Sequence, residues 1–165
     1  AWAMFSIWKK QLAEFSDAYF AASAPTVGAR ESRIIGGEYT LTRDDIAHSR
    51  TFPDGIAKGS WYLDRHSSDE IGFHEHVTVK AYDIPYRTLL PKNTENILVA
   101  GRCHSATPEA LASSRVNFTA MAMGQAAGVA AAVSAKNATY PSELNMTRLQ
   151  EYLFRQGQIF GTGVH

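Results

Sequence analysis

The sequence predicts an α/β chain, an α+β mixture if it is part of something larger, and three observations carry that expectation. Residues 96–101 hold four consecutive apolar side chains, Ile97, Leu98, Val99 and Ala100, closed by Gly101. That is how a short strand covered on both faces reads. A polar loop then leads into a long helix rich in Ala and Gly, with Asn117 placed as its N-cap. Amphipathic helical stripes flank this middle at both ends, and short β-branched and aromatic runs lie between them.

Composition narrows the function. At 165 residues the chain is one average domain or two small ones. Sixteen Lys and Arg balance sixteen Asp and Glu, so no global field favours nucleic acid or an anionic membrane surface. A single cysteine excludes an internal disulfide framework and points to a reducing, cytoplasmic compartment. The most apolar window, residues 118–135, is rich in Ala rather than Leu and contains Thr119, Gln125 and Ser134, so no membrane span is expected.

Taken in order, residues 2–23 form an amphipathic helix with Trp2, Phe5, Trp8, Leu12, Phe15 and Tyr19 at three- and four-residue spacing, a stripe expected to face a core. Pro25 and Gly28 end it. Residues 30–42 read as two short strands around Gly36 and Gly37, a bulge or a tight turn. Thr42 opens a short helix with Asp44 and Asp45 in its first turn. Residues 52–59 carry loop chemistry, with Pro53, Gly55 and Gly59.

Residues 60–79 are polar, aromatic and histidine-rich, with Trp61, Tyr62, His66, His74 and His76. His74 and His76 would share one strand face, but neither a cysteine nor an H-E-x-x-H pattern supports a metal, and none is expected. A loop lining a polar substrate cavity and a plain solvated loop are the two readings. Residues 82–90 carry Pro85 and so belong to a sheet edge or an extended crossing segment. After the Ala/Gly helix, residues 145–155 form a last amphipathic helix with Leu144, Leu149, Tyr152 and Leu153 inward. Gly157, Gly161 and Gly163 mark a fraying tail.

Chemistry is sparse residue by residue. Ser105, His104 and Glu109 are the residue types of a hydrolase triad, but they lie close together in sequence and no G-x-S-x-G elbow surrounds a serine. Cys103 is either a reactive thiol or a small packed residue. Arg115 either holds an anionic or carbonyl group or makes a local surface ion pair. The helix says more: Ala120, Gly124, Ala127, Gly128 and Ala131 leave faces almost without side chains. Two internal glycines cost about 1 kcal/mol each relative to alanine, so close packing of another element must offset them.

The runs YDIPYRTLLP, NILVAGRCHSAT, EALASSRV and AMAMGQAAGVAAA, with GARESRIIGGEYTLTRDDI and the Tyr62-x-Asp64-x-His66 spacing upstream, resemble the C-terminal portion of a family of FAD-dependent oxidoreductases. Members of this family have the glutathione-reductase-type fold, and some carry a xanthan-lyase-like annotation. The similarity covers residues 27–157, in order and spacing. It implies that residues 96–101 are the last strand of an FAD-binding domain, and that the start of the next helix, around Val116 and Asn117, faces the pyrimidine edge of the flavin. Gly101, Arg102, Ser114, Arg115, Val116 and Asn117 are then the cofactor-side candidates. Tyr82 and Arg87 are substrate-side candidates, and His66, His104 and Arg115 are candidates for catalysis. The chain has Phe118 where the family commonly has proline and Pro108 where it commonly has histidine. In the wider fold an acidic residue often follows the strand's glycine; here it is Arg102.

No G-x-G-x-x-G follows a strand, so the element that cradles the FAD pyrophosphate is expected to lie elsewhere. The expectation is therefore a remnant of a substrate or cap domain over residues 1–95 and the end of an FAD domain over residues 96–165. The cofactor would be FAD, and the reaction hydride transfer between flavin and a small-molecule or sugar-like substrate. The partner would be a missing N-terminal FAD-binding half, without which the chain is inactive; homo-oligomers are also possible. The alternative from another class is a noncatalytic oligomerisation or partner-binding module.

Overall fold

The computed structural model describes residues 1–26, 28, 30, 32–66 and 74–161, and divides the chain into two compact units, residues 1–30 and residues 31–165. In the first unit α1 spans Trp2–Gln11 and gives way to a 3-10 turn at Ala13–Phe15. The helix is shorter than its apolar stripe predicts, because Leu12 adopts an extended conformation. Its aromatic groups pack on one another, Trp2 against Phe5 and Phe20, Trp8 against Phe15. None of its residues is buried, so the expected core face is not one.

The second unit is α+β. Helix α2 (Arg43–Ala47) starts where the sequence places it, with Thr42 and Asp45 in a reciprocal capping box. Strands β1 (Gly55–Gly59) and β4 (Tyr82–Pro85) pair antiparallel, and β2 (Leu63–His66) pairs antiparallel with β3 (His74–Val77). Strand β1 corrects the loop expected over residues 52–59. Its glycines conceal it from propensity reasoning, and one of them is required by packing: a Cβ on Gly59 would lie 2.5 Å from the Tyr82 ring. Residues 30–42 hold no named strand among those described, only isolated bridges at Gly37 and Leu41.

Helix α3 (Pro108–Ser114) lies in what the sequence suggested was a polar loop. Thr107 caps it by accepting from the Ala110 amide, and Pro108 occupies a first-turn position, a helix-start signal present in the sequence. Helix α4 (Asn117–Asn137) buries Thr119, Met123, Ala126, Ala130 and Ser134. That face packs on β1 and on α5 (Met146–Arg155), which contributes Leu149 and Leu153. Helix α4 is long and apolar enough to cross a membrane by length and composition. Its packing within this unit makes it a core helix on one side.

Two further expectations change. Residues 96–101 form no strand: Ile97 is 49 % exposed and residues 98–100 are half-buried. A strand needs a neighbour on which to form its ladder, and Val99, donating to the Leu89 carbonyl, makes a single link of that kind here. The tail is pinned rather than frayed through residue 161. Gln158 is buried and donates to the carbonyls of Ile56 and Ala122, and the Gly161 amide donates to Asp83.

Candidate cofactor site

The site candidates gather around the two-residue step from α3 to α4. Arg115 ends α3 as its C-cap and Val116 begins α4 as its N-cap. Asn117 is therefore the first helical residue, and no side chain among the described residues caps the helix start. Its first-turn amides point along the axis of a 21-residue helix, where the dipole favours electron-rich groups. Across from this start the chain turns at Gly101, whose φ of +81° suits glycine. A Cβ there would lie 3.9 Å from that of Ala120, within the first helical turn. Gly101, Arg102, Val116 and Asn117 thus form one edge, with Arg102 and Asn117 exposed.

Arg115 is half-buried and its Nη2 lies 3.9 Å from the Asp64 carboxylate on β2. Asp64 is in register with His76 on β3, and His76 lies against Tyr62, centroids 3.7 Å apart. Trp61 stacks on Tyr62 in turn. The β2–β3 pair therefore stands beside the α3–α4 step, and Arg115 links the two. The side chain of His66 lies outside the described residues; its backbone pairs with His74.

Three candidates are committed to partners within the fold, two of them buried and Arg87 exposed. Tyr82 is fully buried and donates to Ser113 Oγ at 2.7 Å, while Ser113 donates to the Trp61 carbonyl. Burial raises the Tyr82 phenol to about 12, with the Ser113 bond opposing. Tyr82 therefore stays protonated and serves packing. Arg87 makes a two-pronged ion pair with Asp54 and lies over the Tyr39 ring, which commits its guanidinium. His104 is fully buried, with Nδ1 2.7 Å from the Gly101 carbonyl and Nε2 3.2 Å from Ser114 Oγ. Burial lowers its pKa, against the Gly101 bond, so the ring is neutral.

Sequence reasoning missed Ser113 and Asp83. Asp83 is buried, ion-pairs with Lys58 at 2.7 Å and accepts from Phe52 and Gly161. Nothing in the alternation of residues 82–90 marks it, because its partners come from two distant segments, residues 52–58 and residue 161.

Elsewhere, a groove of about 630 Å³ runs between Leu98 and the C-terminal half of α4, lined by Ala127, Ala131 and Ala135. It lies at the opposite end of α4 from the edge above. Ser134 Oγ is buried there without a hydrogen-bond partner among the described residues. No group of three or more His, Cys, Asp or Glu suited to a metal occurs among the described residues.

Free first-turn amides of a long helix beside a glycine turn are groups that can meet an electron-rich ligand. The family model described as FAD dependent oxidoreductase matches residues 1–153, and the chain belongs to that family. The family is FAD dependent, which is the cofactor the sequence suggested. No curated protein and no solved structure matches the chain.

Proposed function

We propose that this chain supplies one wall of the flavin site of an FAD-dependent oxidoreductase of glutathione-reductase type, the other wall coming from an N-terminal FAD-binding half. The observation that carries this reading is the uncapped start of α4 beside the Gly101 turn. FAD, when bound, supplies hydride transfer at its flavin ring. The amides of residues 117–119 and the helix dipole would donate to the acceptor atoms of the ring's pyrimidine edge as it gains negative charge. Arg102 and Arg115 would add positive charge to the same edge. The β2–β3 pair, with Tyr62, Asp64 and His76, is the substrate-side surface of a cap-domain remnant over residues 1–95, for a small-molecule or sugar-like substrate. Residues 96–165 are the end of the FAD domain.

The outer face of α4 supports the need for a second half. Gly124 and Gly128 have nothing within 4 Å of where a Cβ would stand, Phe118 is 81 % exposed, and residues 97–100 lack a strand neighbour. The same bare face supports the second reading, a noncatalytic module that docks another chain through α4. Intact mass and colour separate the two. A flavin spectrum on an assembly heavier than 18.1 kDa supports the enzyme; a colourless oligomer of this chain alone supports the module. Replacing Arg115 with alanine in the flavin-loaded protein is expected to lower turnover or FAD affinity, and unchanged values for both remove it from the site.

A further inference from the structure

His104 has no exposed surface and both ring nitrogens are engaged, so it is poorly placed to exchange a proton with a substrate. We infer that His104 is a positioning residue: its hydrogen bond to Ser114 fixes the Gly101–Arg102 turn against the start of α4, the two parts of the edge assigned above to the flavin. The inference rests on that assignment. The chemistry of the two partners sets the proton. A carbonyl only accepts, so Nδ1 carries the hydrogen towards Gly101. In the neutral ring Nε2 is then the acceptor, and Ser114 donates to it.

The two bonds differ in what they join. His104 to Gly101 spans three residues and belongs to the turn itself. His104 to Ser114 spans ten and joins that turn to the last residue of α3. Only Arg115 and Val116 separate Ser114 from α4, so the placement of Ser114 is passed directly to the first amides of that helix. The turn has other anchors, Ser105 donating to Thr88 and Ile35 donating to the Cys103 carbonyl, but these lead away from α3 and α4. The His104–Ser114 bond joins the turn to the end of α3 and sets one against the other.

Two variants act on that bond from its two sides. Ser114→Ala removes the donor; His104→Asn keeps an amide able to reach Gly101 but is too short for Ser114. In each, hydrogen exchange of the bonded amides on either side of the step, Arg115 to the Leu111 carbonyl and Ala120 to the Val116 carbonyl, is expected to quicken about tenfold, the scale of one lost buried hydrogen bond, with β1 and β4 amides unchanged. The double variant is expected to add nothing further, because both substitutions remove one interaction. Unchanged amides at Arg115 and Ala120, or equal quickening throughout β1 and β4, overturns the inference. In flavin-loaded protein Ser114→Ala is expected to weaken FAD retention about tenfold; unaltered retention despite loosened amides severs the link to the flavin edge. Wild-type protein that takes up no FAD in any assembly overturns the underlying assignment, and the exchange result, which needs no flavin, shows separately whether the bond sets the helix start.

Discussion

Two sides of the same unit are built to different standards. On one, the last turn of α3 is stitched in both directions: Ser113 to Tyr82 and Trp61, Ser114 to His104, every hydroxyl partnered and all but Trp61 buried. On the other, α4 presents Phe118, Met121, Gly124 and Gly128 to the outside, next to an extended apolar run with one ladder bond. Buried polar groups are partnered in a finished interior, whereas a contiguous apolar face without partners marks a surface meant to be covered. The exposed side is the one on which the proposed second half would pack.

The contrast can be tested by substitution, largest effect first. Met123 lies in the core beneath α4, and Met123→Ala is expected to cost about 2–5 kcal/mol in denaturant unfolding. A loss below about 1 kcal/mol would show that the buried side of α4 is as loose as its outer side. Ser113→Ala leaves the Tyr82 hydroxyl and the Trp61 carbonyl without their shared partner and is expected to cost about 1–3 kcal/mol by the same measurement. Gly124→Ala meets open space and improves helix propensity, so it is expected to stabilise this chain by about 1 kcal/mol. In an assembly where a second half packs on that face, the same methyl is expected to weaken association. Phe118→Ala, with its ring in solvent, is expected to change stability by no more than about 0.5 kcal/mol.

His104 adds a pH signature to the finished side. Burial depresses its folded-state pKa below the ordinary 6.5, while the unfolded chain keeps the ordinary value. Below that value the unfolded state binds more protons, so stability is complete above about 6.5 and declines as pH falls from there towards the folded value. His104→Leu is expected to flatten this part of the pH–stability curve, read as the change in denaturation midpoint between neutral and mildly acid buffer. An unchanged slope would place the titration elsewhere.

Much of the local structure was legible in the sequence. The helix start at Thr42 with Asp44 and Asp45 in its first turn, and the four-residue spacing of Leu149 and Leu153 in the last helix, are short-range signals, and the structure follows them. What was not legible depends on distant partners. Strand β1 reads as loop because its glycines serve the Tyr82 ring rather than a strand propensity. Residues 97–100 read as a buried strand because their composition suits one, yet composition cannot supply a neighbouring strand. The stripe of α1 reads as core, but its rings pack within residues 1–30. In the site, the motif runs marked the α3–α4 step, while the burial of Tyr82 and His104 and the pairing of Arg87 with Asp54 needed three dimensions.

The central claim is that this chain is one wall of a flavin site completed by another half. The most direct measurement is the flavin content of the purified 165-residue chain after incubation with FAD and removal of free cofactor. The account predicts a colourless protein, since the first amides of α4 meet only one edge of the ring and nothing here cradles the pyrophosphate. A stoichiometric yellow cofactor retained by this chain alone would contradict it.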